Sequence, residues 1–441
     1  MPESPRKRAV KMLMNIDKND AFINIEMNKL RAENVFNDVD LRFIGQLVNG
    51  VVKHRLTIDY VISKHSDVRL NKIAPFVLSV LRCGVYQILY MDKIPVSAAV
   101  NECVKIIKKS SVSRLSGYVN AVLRAVSIND IQSINCKSAE GMSIALSFPL
   151  WLINRWIGFF GVDFTRELAT ALNKKSDLCI RRKIDIDCET IISHLESDGV
   201  KAFPVKFDFM PDFDYCFNVG NIGDLNSLKT FRNNEFYIQD PAASLASYLL
   251  FPKSGDTVID MCAAPGGKSL FMAEIMGNKG RIIACDIYAH KLKLINDNCD
   301  RYGIDIVEPV LSDATVLKEE YIDFADKILC DVPCSGFGII RKKPDIKYSR
   351  TEDDIYSLAK LGTSILNNAS FYLKDGGTLV YSTCTIDPVE NENVIENFLE
   401  YHDEFSPYPF DGDIYYKTFY PHIDSTDGFF VCRLKKEREI K

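Results

Sequence analysis

The first 130 residues carry apolar side chains at a helical spacing. The clearest stripe covers residues 73–88, and shorter stripes cover 41–51 and 100–107. Residues three and four positions apart lie on one face of a helix, so each stripe gives a helix one apolar face. Residues 92–95 include a proline and break the pattern between two of these helices. Residues 1–130 are therefore predicted to form an all-α bundle.

The next hundred residues are less regular. A helical pattern covers 151–172, and a short β-like stretch covers 178–186. This mixture predicts a small α+β connector over residues 131–235.

From residue 236 onward, short apolar segments alternate with helical patterns. This alternation is typical of a parallel sheet with helices on its faces. It predicts an α/β domain over residues 236–441. The predicted strands are 257–261, 281–287, 307–311, 327–331 and 378–382, with a late strand at 428–434.

Composition narrows the class of protein. The chain has 441 residues, of which 47% are hydrophobic and 26% charged, which indicates two or three globular domains and excludes a disordered chain. The 13 cysteines are odd in number and follow no repeat, so we expect a reducing compartment and no disulfide framework. No apolar stretch reaches the roughly 18 residues of a membrane helix, and the N-terminus lacks a secretory signal. We therefore expect a cytoplasmic protein with no membrane partner.

Charge is divided unevenly along the chain. The net charge is -5, yet residues 1–130 carry 20 Lys+Arg against 12 Asp+Glu, or +8, which leaves 34 against 47, or -13, for the rest. A basic module before an acidic body suggests that the first module meets a polyanion, although excess lysine for solubility is the alternative. The candidate RNA contacts in this module are Lys105, Lys108, Lys109 and Arg114.

The first predicted strand of the α/β domain runs into a glycine-rich turn that precedes a helical pattern. Small residues let the backbone approach a ligand, and a helix start offers unpaired amide donors. The spacing differs from that of dinucleotide and phosphate loops, so NAD and ATP are less favoured. A turn that only packs strand against helix is the alternative. The turn consists of Asp260, Met261, Cys262, Ala263, Ala264, Pro265, Gly266, Gly267 and Lys268.

Acidic residues end or follow four of the predicted strands. The carboxyl ends of parallel strands converge on one crevice, so we expect these side chains at a single edge of the sheet. Asp286 has the position at which nucleotide-binding folds place an acid against ribose hydroxyls. Any one acid alone is equally well explained as a helix cap. The four acids are Asp260, Asp286, Asp313 and Asp331.

Two cysteines close predicted strands, Cys334 within 331–336 and Cys384 within 381–385. If these strands are adjacent, both thiols reach one crevice, where nearby positive charge lowers a thiol pKa from about 8.5. Zinc is the alternative, but the usual Cys-x-x-Cys pairs are missing, so we expect no metal. Other cysteines are interpreted as small apolar fillers. These are Cys83, Cys103, Cys136, Cys179, Cys188, Cys216, Cys299 and Cys432.

The glycine-rich turn, the strand-end acids and the two cysteine motifs follow one another in the order found in the S-adenosylmethionine-dependent RNA cytosine-5 methyltransferases. The chain resembles this family over essentially its whole length. The likeness extends to residues 341–345, to Pro388, Glu390 and Asn391, and to 427–430. The first module resembles the helical RNA-binding fold of the antitermination factor NusB, through residues 84–89 and 119–124. The resemblance implies an all-α NusB-like N-terminal bundle, a small α+β connector and a C-terminal Rossmann-like class I methyltransferase.

The resemblance also implies roles for individual residues. DNA cytosine-5 methyltransferases attack the base from a Pro-Cys motif, whereas the RNA family attacks from the later Thr-Cys motif. The resemblance therefore implies that Cys384 is the nucleophile and that Cys334 assists product release. Asp331 is the candidate for stabilising the adduct at the pyrimidine edge. The implied cofactor is S-adenosylmethionine, held by Cys262, Ala263, Ala264, Pro265, Gly266, Gly267, Lys268, Asp286, Asp313 and Asp331.

The implied partner is 16S ribosomal RNA or a small-subunit assembly intermediate, bound by a monomeric enzyme. Residues 180–183 depart from the family pattern, which puts substrate contacts there in doubt. A non-catalytic RNA-binding or ribosome-assembly factor is the rival interpretation. Basic residues and a tyrosine after the fourth strand are expected to meet RNA, with a solvated loop as the alternative. They are Arg341, Lys342, Lys343, Lys347, Arg350 and Tyr348.

Overall fold

The protein forms two compact units in a computed structural model that describes residues 3–19, 22–220 and 222–438. The N-terminal unit consists of Met1–Lys174 and Lys342–Arg350, and the C-terminal unit consists of Lys175–Arg341 and Thr351–Lys441. The limits of these compact units fall at other positions than residues 130 and 235. The domain boundaries predicted there are not tested by this division and stay predictions.

Helices occur in both units. In chain order they are α1 (Pro5–Asn19), α2 (Ile23–Ala32), α3 (Asp38–Lys53), α4 (Arg55–His65), α5 (Pro75–Tyr90), α6 (Val96–Lys108), α7 (Ser116–Ala125), α8 (Asn129–Gln132), α9 (Ala139–Leu146), α10 (Leu150–Phe160), α11 (Val162–Asn173), α12 (Cys188–Ser197), α13 (Lys229–Arg232), α14 (Pro241–Leu249), α15 (Gly267–Ile275), α16 (Ala289–Tyr302), α17 (Ile346–Ser349), α18 (Glu352–Tyr372) and α19 (Glu392–Tyr401).

The strands lie in the C-terminal unit. They are β1 (Leu178–Arg182), β2 (Lys201–Pro204), β3 (Cys216–Gly220), β4 (Phe236–Ile238), β5 (Thr257–Asp260), β6 (Arg281–Asp286), β7 (Val307–Leu311), β8 (Ala325–Asp331), β9 (Leu373–Thr383), β10 (Phe405–Pro407), β11 (Tyr416–Phe419) and β12 (Phe429–Lys436).

The N-terminal unit is a helical bundle whose core follows the apolar stripes of the sequence. In α5 the stripe places Val77, Val80 and Val85 entirely inside the core. The start of α3 is fixed by Asn37, whose side chain accepts the N–H of Asp40 at 2.8 Å and so satisfies one amide at the helix start. The all-α prediction for residues 1–130 is confirmed by this bundle.

The helical pattern at 151–172 forms two helices. Gly161 separates α10 from α11 and has a φ of +80°, a conformation that glycine adopts without strain and that ends a helix. No single helix in the described ranges is long and apolar enough to span a membrane, and one bent pair, α9 with α10, passes that test by length and composition.

A small antiparallel sheet opens the C-terminal unit, with strand order β2-β3-β1-β4. Its core joins buried residues of β1 and β3 to α12, including Ile180, Phe217 and Leu195. The β-like stretch predicted at 178–186 ends at Arg182 in the structure. This sheet and α12 supply the mixed α+β element expected between the bundle and the α/β part.

The main sheet has the strand order β10-β12-β9-β8-β5-β6-β7, and β11 pairs with β12. Strands β5 to β9 are parallel, and β12 is antiparallel to β9. The chain builds outward from β5 through β6 to β7 and then crosses to β8 on the other side of β5. Such a change of direction creates a crevice at the carboxyl ends of the strands, where open α/β sheets bind their ligands.

The predicted strands of the main sheet are all present; the strand at 307–311 has the predicted ends, and the ends of the others are shifted. The largest difference is β9, which begins at Leu373 where the sequence predicts a start at 378. Leu373 pairs with Ala325, and the register shifts before Lys327 pairs with Thr378. The intervening glycines are typical of a turn, so the sequence pattern alone misses this extension.

Candidate active site

The glycine-rich turn links the end of β5 to the start of α15. Gly266 has a φ of +103°, which favours glycine, and a Cβ on Gly267 would lie 2.7 Å from Cε1 of Tyr237. Within the described ranges, no side chain caps the start of α15. The first amides of α15 can therefore meet a ligand at the carboxyl edge of the sheet.

Two carboxylates follow the neighbouring strands at the same edge. Asp286 ends β6, is buried, and accepts the N–H of Tyr288 at 3.0 Å. Asp313 follows β7 and accepts both the hydroxyl of Thr315, at 2.6 Å, and its N–H, at 2.9 Å. These hydrogen bonds hold the pKa of Asp313 below its usual value. Both side chains are thus fixed in direction before a ligand binds.

A lysine and two acids form a charged group beneath the turn. Lys268 Nζ lies 2.5 Å from Asp331 Oδ2, and Ser382 donates to Asp331 Oδ1 at 2.8 Å. Burial works against the charge of Lys268, but Asp331 more than offsets this and raises the lysine's pKa. Asp260 is fully buried, which raises its pKa to about 6 although Ser269 donates to it at 2.6 Å. Asp331 therefore binds a cation at the end of β8, the strand that Cys334 follows.

The two thiols predicted to meet are in contact. Cys334 follows β8, Cys384 follows β9, and their sulfur atoms are 3.1 Å apart. The hydrogen bond to Cys384, together with burial, raises the pKa of Cys334 well above its usual value. Either thiol can donate its S–H to the other sulfur, so the contact couples the two thiols and brings both to one crevice.

Comparison with known proteins identifies the family. Residues 247–435 match the family described as 16S rRNA methyltransferase RsmB/F, and residues 3–127 match the NusB family. The chain is 33% identical to the probable ribosomal RNA small subunit methyltransferase B of Bacillus subtilis (strain 168), over 98% of this chain and 99% of the relative. The chain belongs to the RsmB/F methyltransferase family. The corresponding protein of Synechocystis sp. is 30% identical over 98% of this chain and 99% of its own length.

A solved structure agrees with this placement. The methyltransferase homolog protein from Pyrococcus horikoshii has a TM-score of 0.59 and 29% identity, covering 68% of this chain and 98% of that chain. The predicted NusB-like module and Rossmann-like methyltransferase fold are therefore confirmed.

The RsmB/F family also confirms S-adenosylmethionine as the cofactor. The residues of this chain fit such a group, because the amides at the start of α15 are left without a side-chain cap in the part of the chain described, and because Asp286 presents a buried carboxylate at the next strand end. The individual cofactor contacts predicted for 262–268, Asp286, Asp313 and Asp331 stay predictions. The structure brings these residues to one edge of the sheet.

The predicted RNA contacts after β8 need correction. Lys347 is fully buried in the N-terminal unit, where Nζ donates to the carbonyls of Lys53 and Ser147 and to Asn173 Oδ1. The hydroxyl of Tyr348 lies 2.9 Å from that of Ser147. The RNA contact predicted for Lys347 is therefore wrong, whereas Tyr348 is half-buried and its predicted RNA contact stays a prediction.

The other basic residues of this segment differ among themselves. Arg341 is ion-paired with Asp427 at 2.8 Å, so its charge is already balanced within the C-terminal unit. Lys342 and Lys343 are exposed. The spacing of charges along the sequence gives no sign that residues 342–350 pack into a different compact unit from the strands on either side.

The two arginines of the connector segment 180–183 hold the fold together. Arg181 is buried and binds Glu274 of α15 at 2.6 Å, and Arg182 binds Asp214 at 2.6 Å. Because both guanidinium groups have acidic partners, they act as structural anchors in this structure.

Glu390 is a site residue to which the sequence analysis gave no role. It is buried, and its carboxylate binds Ser335, the residue that follows Cys334. The signals in the sequence are its place shortly after Cys384 and its part in the family resemblance. Across the described ranges, no group of three or more His, Cys, Asp or Glu side chains is arranged to hold a metal ion.

Proposed function

We propose that this protein transfers a methyl group from S-adenosylmethionine to carbon 5 of a cytosine in 16S ribosomal RNA, through a covalent bond between Cys384 and the base. The observation that carries the proposal is the contact of 3.1 Å between the sulfurs of Cys334 and Cys384 at the ends of adjacent strands. A pair of thiols beside a glycine turn fits covalent activation of a pyrimidine better than simple binding.

Carbon 5 of cytosine is a weak nucleophile, so the base must be activated before it accepts a methyl group. Addition of the Cys384 thiolate to carbon 6 converts the ring into an enamine whose carbon 5 is nucleophilic. The cofactor, when bound, supplies an electrophilic methyl group. The S–H of Cys334 donates to the sulfur of Cys384 before attack. After methyl transfer, Cys334 releases its own proton to solvent and, as a thiolate, accepts the carbon 5 proton. The electrons of that C–H bond re-form the C5–C6 double bond as the carbon–sulfur bond breaks and Cys384 leaves as a thiolate.

Asp331 is the group of this chain proposed to bind the polar edge of the cytosine. Its ion pair with Lys268 and its hydrogen bond from Ser382 fix its direction. In this pairing the carboxylate serves as an acceptor for the exocyclic amine and for a proton on ring nitrogen, which stabilises the adduct as charge develops. Lys268 thereby couples the glycine turn to the pyrimidine site.

RNA reaches such a site only if the target base is unstacked, which costs least in a loop. The exposed basic residues of the N-terminal unit support a role in holding the rest of the RNA, because phosphate contacts position a substrate without reading its sequence. These residues are Lys105, Lys108, Lys109 and Arg114.

The test is methyl transfer from labelled cofactor to 16S ribosomal RNA, followed by nucleoside analysis and a denaturing gel. Wild-type protein should give 5-methylcytosine. Cys384→Ala should give neither product nor adduct, whereas Cys334→Ala should accumulate a protein–RNA band that resists denaturation. Cys136→Ala, which changes a thiol of the N-terminal unit, is the matched control and should behave as wild type.

Two results would contradict the proposal. Label appearing at a position other than carbon 5 of cytosine would exclude the proposed reaction. An adduct that persists in Cys384→Ala and disappears in Cys334→Ala would exchange the roles of the two thiols.

A further inference from the structure

The loops that carry the two thiols are hydrogen-bonded to each other through the residues that follow the cysteines. Ser335 follows Cys334, Thr385 follows Cys384, and the hydroxyl oxygens of Ser335 and Thr385 are 2.8 Å apart. Gly338 also donates its N–H to the carbonyl of Cys384 at 3.0 Å. The separation of the sulfurs is therefore set by the contacts of the residues that follow them.

Glu390 determines how these contacts are arranged. Oε1 accepts the N–H of Ser335 at 2.7 Å, and Oε2 accepts the Ser335 hydroxyl at 2.5 Å. A hydroxyl has a single proton, so when Ser335 donates to Glu390 its oxygen is an acceptor in the contact with Thr385. The Thr385 side chain also hydrogen-bonds to the Glu390 carboxylate. The carboxylate therefore holds both loops at once.

The backbone of Glu390 is itself held in place. Tyr381 of β9 donates its hydroxyl to the Glu390 carbonyl at 2.8 Å. Asn391, the next residue, accepts the hydroxyl of Thr383 at 2.6 Å and donates to the carbonyl of Thr385 at 3.2 Å. The carboxylate thus projects from a segment tied to β9, the strand that Cys384 follows.

We propose that Glu390 is a positioning residue that holds Cys334 against Cys384, so that Cys334 can act when the RNA adduct is resolved. This inference rests on the proposed function, since it assumes an adduct on Cys384. Glu390 does not touch the base in this account. It acts through Ser335 on the thiol beside it.

The charge of Glu390 makes its role measurable. Burial raises the pKa of Glu390 to about 7, although the hydrogen bonds from Ser335 oppose this. Below that pH the Glu390 carboxyl is protonated and loses an acceptor position, so the hydrogen bond from the Ser335 hydroxyl must rearrange. Above that pH the carboxylate accepts both hydrogen bonds from Ser335. Adduct resolution should therefore accelerate as pH rises through about 7. Among the neighbouring titratable groups, Asp387 raises the pKa of Glu390. Glu390 in turn raises the pKa of Cys334 and of Tyr381.

The experiment compares Glu390→Gln with Glu396→Gln, an exposed glutamate of α19 that serves as the matched control. Single-turnover reactions of the full-length protein with cofactor and 16S ribosomal RNA are followed for adduct formation and adduct breakdown between about pH 6 and pH 8.5. Glu390→Gln should form the adduct at a rate within about threefold of wild type and break it down about tenfold or more slowly, because a small displacement of a reacting group costs this much. The variant should also lose the change of rate near pH 7. Glu396→Gln should match wild type in both steps.

An unchanged breakdown rate and pH profile in Glu390→Gln would overturn the inference. Ser335→Ala provides a second variant if Glu390→Gln does not fold. It removes the hydroxyl but keeps the backbone bond, so it should slow breakdown by a smaller factor, and wild-type breakdown in Ser335→Ala would equally overturn the inference. If wild-type protein forms no adduct while it methylates RNA, the proposed function fails, whatever the variants do.

Discussion

The buried ion pair between Arg181 and Glu274 gives a quantitative test of how helix α15 is held. Their side chains are 1% and 4% exposed, and Arg181 also donates to Gln239 at 2.9 Å and lies 4.3 Å from the ring centre of Phe271. Glu274→Gln keeps the shape of the side chain but leaves the guanidinium buried without a counter-charge. Breaking such a pair from one side costs about 3–5 kcal/mol. We expect a loss of this size in the free energy of unfolding of the C-terminal unit.

Urea unfolding at neutral pH measures this loss as a lower midpoint at an unchanged slope. The control is Glu308→Gln, which breaks the pair with Arg281 at 2.7 Å, whose side chains are 46% and 48% exposed. Exposed pairs contribute about 0–1 kcal/mol, so this variant should stay close to wild type. Equal losses in the two variants would refute the argument, because they would mean that burial does not decide the strength of the Arg181 pair.

Two further predictions concern the cofactor site and the N-terminal unit. In Gly267→Ala the new Cβ would lie 2.7 Å from the Tyr237 ring, so the start of α15 must shift. This variant should bind S-adenosylmethionine about tenfold more weakly in calorimetry. The control is Gly158→Ala, whose Cβ meets no atom within 4 Å and which should bind normally. Burial opposes the charge of Asp130, yet the hydrogen bond from Lys64 at 2.8 Å and further donors lower its pKa to about 2. The ionised Asp130 stabilises the fold above about pH 4, and this stabilisation is lost as pH falls through about 2. Asp130→Asn should therefore be about 1–2 kcal/mol less stable than wild type at pH 7 in denaturant unfolding, and the difference should shrink steadily from about pH 4 to pH 2. A difference that persists at low pH would contradict this assignment.

Periodicity and strand-end chemistry predicted much of the fold and of the site. The stripe at 73–88 became the core of the bundle, and the alternation after residue 236 became the parallel sheet. Cys334 and Cys384 were expected in one crevice because each closes an apolar strand, and the pairing of β8 with β9 brings them together. Local patterns suffice where function resides at the ends of neighbouring strands.

The errors come from contacts between residues distant in sequence. The charge of Lys347 predicts an RNA contact, but this residue is fully buried among long-range partners such as Ser147 and Asn173. Glu390 joins Ser335 across 55 residues, which no spacing rule indicates. Sequence patterns predict which face of a helix or strand is buried. The contacts of these side chains depend instead on which helices, strands and loops pack together.

The most direct test of the central claim is mass spectrometry of the protein–RNA adduct. Cys334→Ala protein would be incubated with 16S ribosomal RNA and S-adenosylmethionine, denatured, and digested with protease and nuclease. The account predicts a peptide containing Cys384 that carries the mass of a methylated cytidine nucleotide. A nucleotide attached to any other residue, or its absence from protein that still methylates RNA, would contradict the account.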